Sequence, residues 1–186
     1  MIFEGQDPPA QFRARKPRPY TELILEGGLM EKKDVLGMLG YFDKVHKVTL
    51  KAIKLIPENK LDFKPCPEVM SIKELVCHIY TNEKVFAEGA KKGIITQDDF
   101  KKGQCQAKSV DDLLKFAKRV HQNTNRIAKK LTPAQIKKNV KVFWGDQFPA
   151  WICFSSVYDE HWHHRGQMFT YLRLLGIKPP DLYSYK

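Results

Sequence analysis

From Val35 onward the apolar residues Leu36, Leu39, Phe42, Val45, Ala52, Ile53 and Ile56, with Thr49 among them, recur three and four positions apart as far as Pro57. That spacing puts them on one face of an amphipathic helix, which the proline ends. A second helix is predicted from Ser71, because Glu74 stands three positions later and each side chain can accept the other residue's free backbone N–H. Leu75, Ile79, Asn82 and Phe86 mark its inner face. A third starts at Ser109, with Asp112 in the corresponding place, and carries Leu113, Phe116, Val120, Ile127 and Leu131. Thr132-Pro133 stops it and opens a short further turn, proline being tolerated at a first helical position. The stretch KVFWGD at 141 to 146 reads as extended, with a turn at Gly145-Asp146. The fourth helix is expected from near Pro149, a favourable first-turn proline, to a glycine cap at Gly176, with Pro179-Pro180 beyond. Four long amphipathic segments and no convincing strand pairs predict an all-α four-helix bundle.

Residues 1 to 29 depart from this pattern. Pro8, Pro9, Pro17 and Pro19 break any helix and the stretch 13 to 18 is basic, so an extended N-terminal arm is expected ahead of one bundle domain at 30 to 186. The 186 residues are one domain's worth, and 42% hydrophobic residues can build its core without disulfides. Four widely spaced cysteines form no CxxC pair, which argues against a zinc knuckle or dithiol motif and for reduced thiols in a cytoplasm. The start has no secretory-type apolar run and nowhere do 18 apolar residues follow one another, so a soluble protein without a membrane partner is expected. The net charge of +11 raises a nucleic-acid reading. Its lysines fall singly or in pairs on faces expected to be solvated, so nucleic acid is not the expected partner.

Three of the six histidines, His161, His163 and His164, fall within four residues on the fourth helix. On a wheel of about 100° per residue, Ala150, Cys153, Val157, Met168, Tyr171 and Leu175 define a stripe, and Glu160 and His164 lie within about 40° of its centre. His161 sits at the stripe's edge, His163 to one side, and Trp162 points away. An i, i+4 pair on one helix face converges on a common point and suits a metal ion. His78, about 40° to 50° from the middle of the second helix's apolar face, offers a third ligand. One imidazole from one helix plus a carboxylate and an imidazole from another leave open positions, as a catalytic site requires. The plainer readings stay open beside this one: an inward His78 as a hydrogen-bonded core residue, and Glu160/His164 as a salt bridge. His46 and His121 read as hydrogen-bonded core residues, Cys77 as a packing residue, and Glu83 and Glu88 as surface residues, so no general base is named.

Two blocks carry a resemblance to a known family. The first, KPCPEVMSIKELVCHIYTNE, is similar to the extended lead-in, serine cap and helix-two histidine of the DinB/YfiT-like proteins, four-helix bundles named for damage-inducible bacterial proteins. The second, EHWHHRGQMFTYLRLLGIKPP, resembles that family's closing helix with its HHRGQ core, glycine cap and prolines. The likeness covers residues 34 to 182. It implies one divalent metal, nickel, zinc or similar, held by a helix-two histidine and two histidines four apart in the last helix. His78 and His164 match that pattern. The position four before His164 is Glu160 rather than histidine, so the third ligand is Glu160 or, at i, i+3 spacing, His161; Glu160 is preferred because it sits nearer the facing stripe. Gln167, one turn beyond His164, is read either as supporting a ligand or as packing at the bundle's end. Gly166 inside a helix costs up to about 1 kcal/mol against alanine, which close approach of another helix or a second subunit would justify, and the family often forms homodimers. The resemblance therefore implies a metal-dependent transferase acting with a low-molecular-weight thiol, or a hydrolase, on a small-molecule substrate. The alternatives from other classes are a basic nucleic-acid-associated helical protein and a metal-holding bundle that catalyses nothing.

Overall fold

A computed structural model describes residues 30–184; the arm expected at 1 to 29 lies outside them. The first element, α1, spans Lys32–Ile53. It opens on a capping pair in which the Glu31 amide donates to Asp34 Oδ2 (2.9 Å), and it stops short of Pro57, whose flanking turn Glu58–Lys60 is 3-10. The second helix, α2 (Ile72–Lys92), begins as the Ser71/Glu74 pair predicts: the Glu74 amide donates to Ser71 Oγ at 3.2 Å and the Ser71 amide to Glu74 Oε2 at 2.7 Å. It ends on Gly93 in the left-handed conformation, φ 81°. A short α3 (Gln97–Gly103) follows, capped by Thr96 and Asp99, and was not expected. Ser109 and Asp112 cap α4 (Val110–Lys130), and α5 (Pro133–Lys137) has its proline in the first turn. The last helix, α6 (Ala150–Leu174), has Pro149 one step outside it at the cap. It closes with Gly176 at φ 77°, where the Ile177 amide donates to the Leu172 carbonyl at 2.9 Å, the bond pattern of a Schellman end.

The expectation of no strand pairs is corrected. β1 (Ile94–Ile95) runs parallel to β2 (Asn139–Val142), which pairs antiparallel with β3 (Gln147–Pro149), Val140 opposite Phe148. Strands of two to four residues have too little alternation to show in the sequence, and the β1–β2 pairing joins segments far apart in the chain. The hairpin lies directly ahead of α6 and fixes where that helix starts.

The bundle helices are α1, α2, α4 and α6. Both α1 and α2 pack against α4 and α6, so around the bundle the order is α1, α4, α2, α6. Two apolar clusters fill it. One holds Val35, Leu39, Phe42, Ile127, Ile136, Val140 and Phe154 near the sheet; the other holds Ala52, Ile53, Leu75, Leu113, Phe116 and Leu172 towards the opposite end. Between them every bundle helix turns polar. His46 and Thr49 of α1, Glu83 of α2, His121 and Thr124 of α4, and His161, His164 and Arg165 of α6 are all buried. Burying so many polar groups is costly unless they pair, and that layer contains or borders every residue with candidate chemistry.

Candidate metal centre

His78 projects from α2 and Glu160 and His164 from α6, across the seam between those two helices. One potential ligand atom from each lies within 4.8 Å of the others. His78 is half-buried, His164 buried and Glu160 exposed, so the group faces the rim of the polar layer rather than its centre. The two imidazoles meet edge to face, with ring centroids 4.6 Å apart at 88°. Burial lowers the pKa of His78, and the nearby His164 ring adds to that against the opposing pull of Glu160. A neutral imidazole is the form that ligates a metal.

The hydrogen bonds around His164 matter as much as the convergence. Gln167 Oε1 lies 2.8 Å from Nδ1, and Gln167 Nε2 lies 3.3 Å from His163 Nε2, so the amide is oriented at both ends. With Nδ1–H donated to Gln167, a neutral His164 turns its Nε2 lone pair to Glu160 Oε2, 3.1 Å away. Two acceptors then face each other, an arrangement that a cation or a second proton resolves. On α2, Asn82 Nδ2 stands 3.0 Å from His78 Nε2, and half a turn of that amide would present Oδ1 instead.

This donor set fits a divalent ion after a modest contraction. Two ligands bound at about 2.1 Å on tetrahedral corners lie about 3.4 Å apart, closer than the 4.8 Å limit observed, and side-chain rotation on adjacent helices supplies the difference. His161 does not join the group. It is 1% exposed, and its Nε2 lies 2.7 Å from Thr49 Oγ1, whose own hydroxyl points to the Val45 carbonyl at 3.2 Å. The residues whose ligand atoms converge here are His78, Glu160 and His164, without His161 at i, i+3. Trp162, expected to point away, is partly buried against the apolar cluster near the sheet, and the buried Arg165 guanidinium lies 3.9 Å above its ring.

Glu83, expected at the surface, is 1% exposed, and Glu88 is half-buried. Glu83 Oε1 lies 2.9 Å from His121 Nδ1, while Asp43 Oδ1 lies 2.7 Å from His121 Nε2. Both ring nitrogens thus face carboxylates that only accept, which holds the ring as an imidazolium. Burial works against that charge, but the hydrogen bonds and charges of Glu83 and Asp43 outweigh it and raise the His121 pKa. His46 stacks on the same ring, centroids 3.9 Å apart and planes 15° apart, and bonds the Tyr80 hydroxyl through Nδ1 (3.0 Å). Burial, then the His121 and His161 rings, drive its pKa down to about 2. His46 and His121 are therefore the hydrogen-bonded core residues expected of them. Cys77 is half-buried against the apolar cluster at the end opposite the sheet, with the Cys105 thiol beside it and burial both holding its own thiol protonated. Nothing local to Glu83 announced its burial, since the partner that makes it tolerable sits on α4.

Among the described residues no helix is long and apolar enough to cross a membrane. A Bacillus subtilis protein, YjoA, itself uncharacterized, is 26% identical over 151 residues, spanning 80% of this chain and 96% of that protein. Its crystal structure, described as DinB-like, superposes with a TM-score of 0.66 over 79% of this chain and 97% of that one. A DinB-like protein from Bacillus cereus gives 0.66 at 20% identity, covering 79% and 96%. A mycothiol-dependent maleylpyruvate isomerase shares the fold with a TM-score of 0.60 at 10% identity, over 75% of this chain and 61% of that one. The family profile described as DinB family matches residues 30–186, and this helical bundle with its His/Glu/His cluster belongs to the DinB family.

Proposed function

We propose that the chain is a metal-dependent enzyme which holds one divalent ion, nickel, zinc or similar, through His78, Glu160 and His164. The observation that carries this reading is the convergence of their three ligand-type atoms within 4.8 Å from two different helices. With one carboxylate and two imidazoles the site keeps positions open, and a bound ion would supply Lewis acidity that favours the deprotonated form of a thiol or water placed there. The residues do the rest. Gln167 fixes the His164 ring so that Nε2 faces the open side, and burial keeps His78 neutral and available. Glu160, the exposed member, lies where a small substrate would enter and can adjust its carboxylate as that substrate binds.

Reaction with a low-molecular-weight thiol is the preferred class, with hydrolysis second. The fold shared with a mycothiol-dependent isomerase supports the first, and the basic surface would draw a thiol that bears carboxylates. We place the protein in the cytoplasm and read it as a homodimer. Gly166 is exposed on α6, and a Cβ there would meet nothing within 4 Å. Among the described residues no packing requires glycine at that position, and close approach of a second copy is the reason we propose for it.

The test is elemental analysis of tag-free protein, natural sequence against His78→Ala and Glu160→Ala. Near one metal per chain in the natural protein, lost in both variants, is the expected outcome and justifies screening thiol-transfer and hydrolysis reactions. Three proteins equally empty after metal is offered would end the enzyme reading.

A further inference from the structure

The seam between α2 and α4, a quarter-turn round the bundle from the His/Glu/His group, carries two adjoining cavities of about 650 and 480 Å³. They share Glu88, Asn123 and Arg126 and so form one groove. Volumes of this order suit small organic ligands. Its floor is apolar, made by the nearly buried side chains of Phe116, Val120, Ile127 and Leu131. Its walls are cationic: Lys84 and Arg119 border one end, Lys91 and Lys130 the other, and Arg126 the middle. Lys92 also lines it, but Asp99 neutralises that ammonium at 2.6 Å. Among the described residues Glu88 is the one carboxylate in the lining, and it sits between the ends.

Five cations against one carboxylate, over a low-dielectric floor, focus a positive potential in a cleft rather than spread it over a surface. Arg126 is held in place by its bond to Asn123 Oδ1 (2.6 Å). Along α2 the end cations Lys84 and Lys91 are about 10 Å apart, and along α4 Arg119 and Lys130 about 16 Å, from a rise of 1.5 Å per residue. The central Glu88 repels negative charge from the waist, so charged groups belong at the ends and an uncharged body between them. His78 lies about 120° around α2 from Lys84 and about 80° from Glu88, so this groove opens on a different seam from the metal centre.

We propose that the α2–α4 groove binds an elongated organic dianion with an apolar body and a carboxylate or phosphate at each end. The site is separate from the metal centre and does not depend on it. A nucleic-acid backbone meets the charge but has no apolar body to cover the floor.

The experiment is calorimetric titration of the full chain with dodecanedioate in 150 mM salt. Dodecyltrimethylammonium and a short DNA duplex serve as comparison probes, and amide NMR shifts locate the binding. Saturable one-to-one binding is expected, with shifts confined to residues 84 to 92 and 116 to 135. Arg119→Glu and Lys130→Glu, both at exposed positions, should each weaken it at least about fivefold, Glu88→Gln should tighten it, and His78→Ala should leave it unchanged. No saturation, equal binding of the cationic amphiphile, shifts elsewhere, or a duplex that displaces dodecanedioate from these residues would overturn the proposal. Because the wild-type shift map stands without any variant, a misfolded variant does not rescue or sink it. Loss of binding in His78→Ala would reject independence from the metal centre, whereas an empty metal site with dodecanedioate still bound would reject only the proposed function.

Discussion

Two histidine groups share the polar layer of this bundle and differ in what surrounds them. In the centre, His46, His121 and His161 each have a partner on another helix: Tyr80, the Glu83/Asp43 pair, and Thr49. At the rim, His78 and His164 look toward one another and toward an exposed Glu160, and the hydrogen bonds they make are to Asn82 and Gln167 on their own helices. The first group is anchored by partners that the fold supplies, although His161 keeps a buried Nδ1 with no hydrogen-bond partner among the described residues. The second is oriented by the fold and completed by something else. A histidine's role in a bundle thus follows less from its burial than from whether its partners cross the bundle or prepare a lone pair.

The largest effect that would break this contrast lies in the centre. Replacing His121 with leucine leaves the Glu83 carboxylate buried without its counter-charge, and stripping one partner from such a pair typically costs about 3–5 kcal/mol. Urea unfolding at pH 7 should show that loss for His121→Leu, while His78→Ala, whose ring is half-buried at the rim, should change metal-free stability by less than about 1 kcal/mol. Equal costs for the two variants would mean that the rim histidine is as much part of the core as the central one.

The next effect runs the other way. A metal bound only by the folded chain at a hundred times its dissociation constant stabilises by about 2.7 kcal/mol, or roughly 5–10 °C in Tm for a domain of this size. The natural protein should gain this on metal addition in a thermal melt. His78→Ala and Glu160→Ala should not. A variant of the central group that still folds, such as His46→Gln, should gain as much as the natural protein, and its failure to do so would join the two groups into one site.

The way these residues were and were not legible follows from the range of the interactions. The Ser71/Glu74 and Ser109/Asp112 caps, the helix end at Gly176, and the Glu160/His164 pair all act within one or two turns, so spacing alone reveals them. His78 could be aligned with them because a helix wheel fixes its face. Glu83 was misplaced because its partner His121 is on α4, and His161 remained an alternative ligand because Thr49 lies on α1. A polar residue on an inner face can be a ligand, a core residue or a surface edge, and only the tertiary partner decides. The extended stretch from Lys141 and its turn at Gly145-Asp146 were readable locally, whereas the β1–β2 ladder was missed for the same reason, because it joins segments distant in sequence.

Gln167 sharpens the comparison within the rim group itself. As the residue that directs the His164 ring, it should affect metal affinity without affecting the fold. Removing such a supporting partner costs about 10- to 100-fold in affinity. Competition against a chelating dye should show that for Gln167→Ala, with Gln167→Glu, which keeps an acceptor for Nδ1–H, retaining affinity nearer the natural protein. If both variants bind as tightly as the original, Gln167 is a packing residue at an exposed turn.

The smallest effect is in pH, and within the central group His121 gives it the opposite sign from His46 and His161. His46 and His161 have folded pKa values below the ordinary one, chiefly through burial, and His78 is lowered in the same way. As pH falls through about 6.5 the unfolded chain takes up protons that the folded chain refuses, so stability declines on the acid side. Its slope is about 1.4 kcal/mol per pH unit for each proton so linked. His121 is raised. Its contribution is fully present below the unfolded value near 6.5 and is lost as pH rises through the folded one. Urea unfolding of metal-free protein between pH 5 and 6.5, above the range of most carboxylates, isolates the first limb. His46→Gln should flatten it by about one proton's slope, and His121→Gln should abolish the alkaline decline instead. An acid limb unchanged in His46→Gln would mean that the folded chain protonates the ring stacked on His121 as readily as the unfolded chain does, and the division between a centre partnered across the bundle and a waiting rim would have to be redrawn.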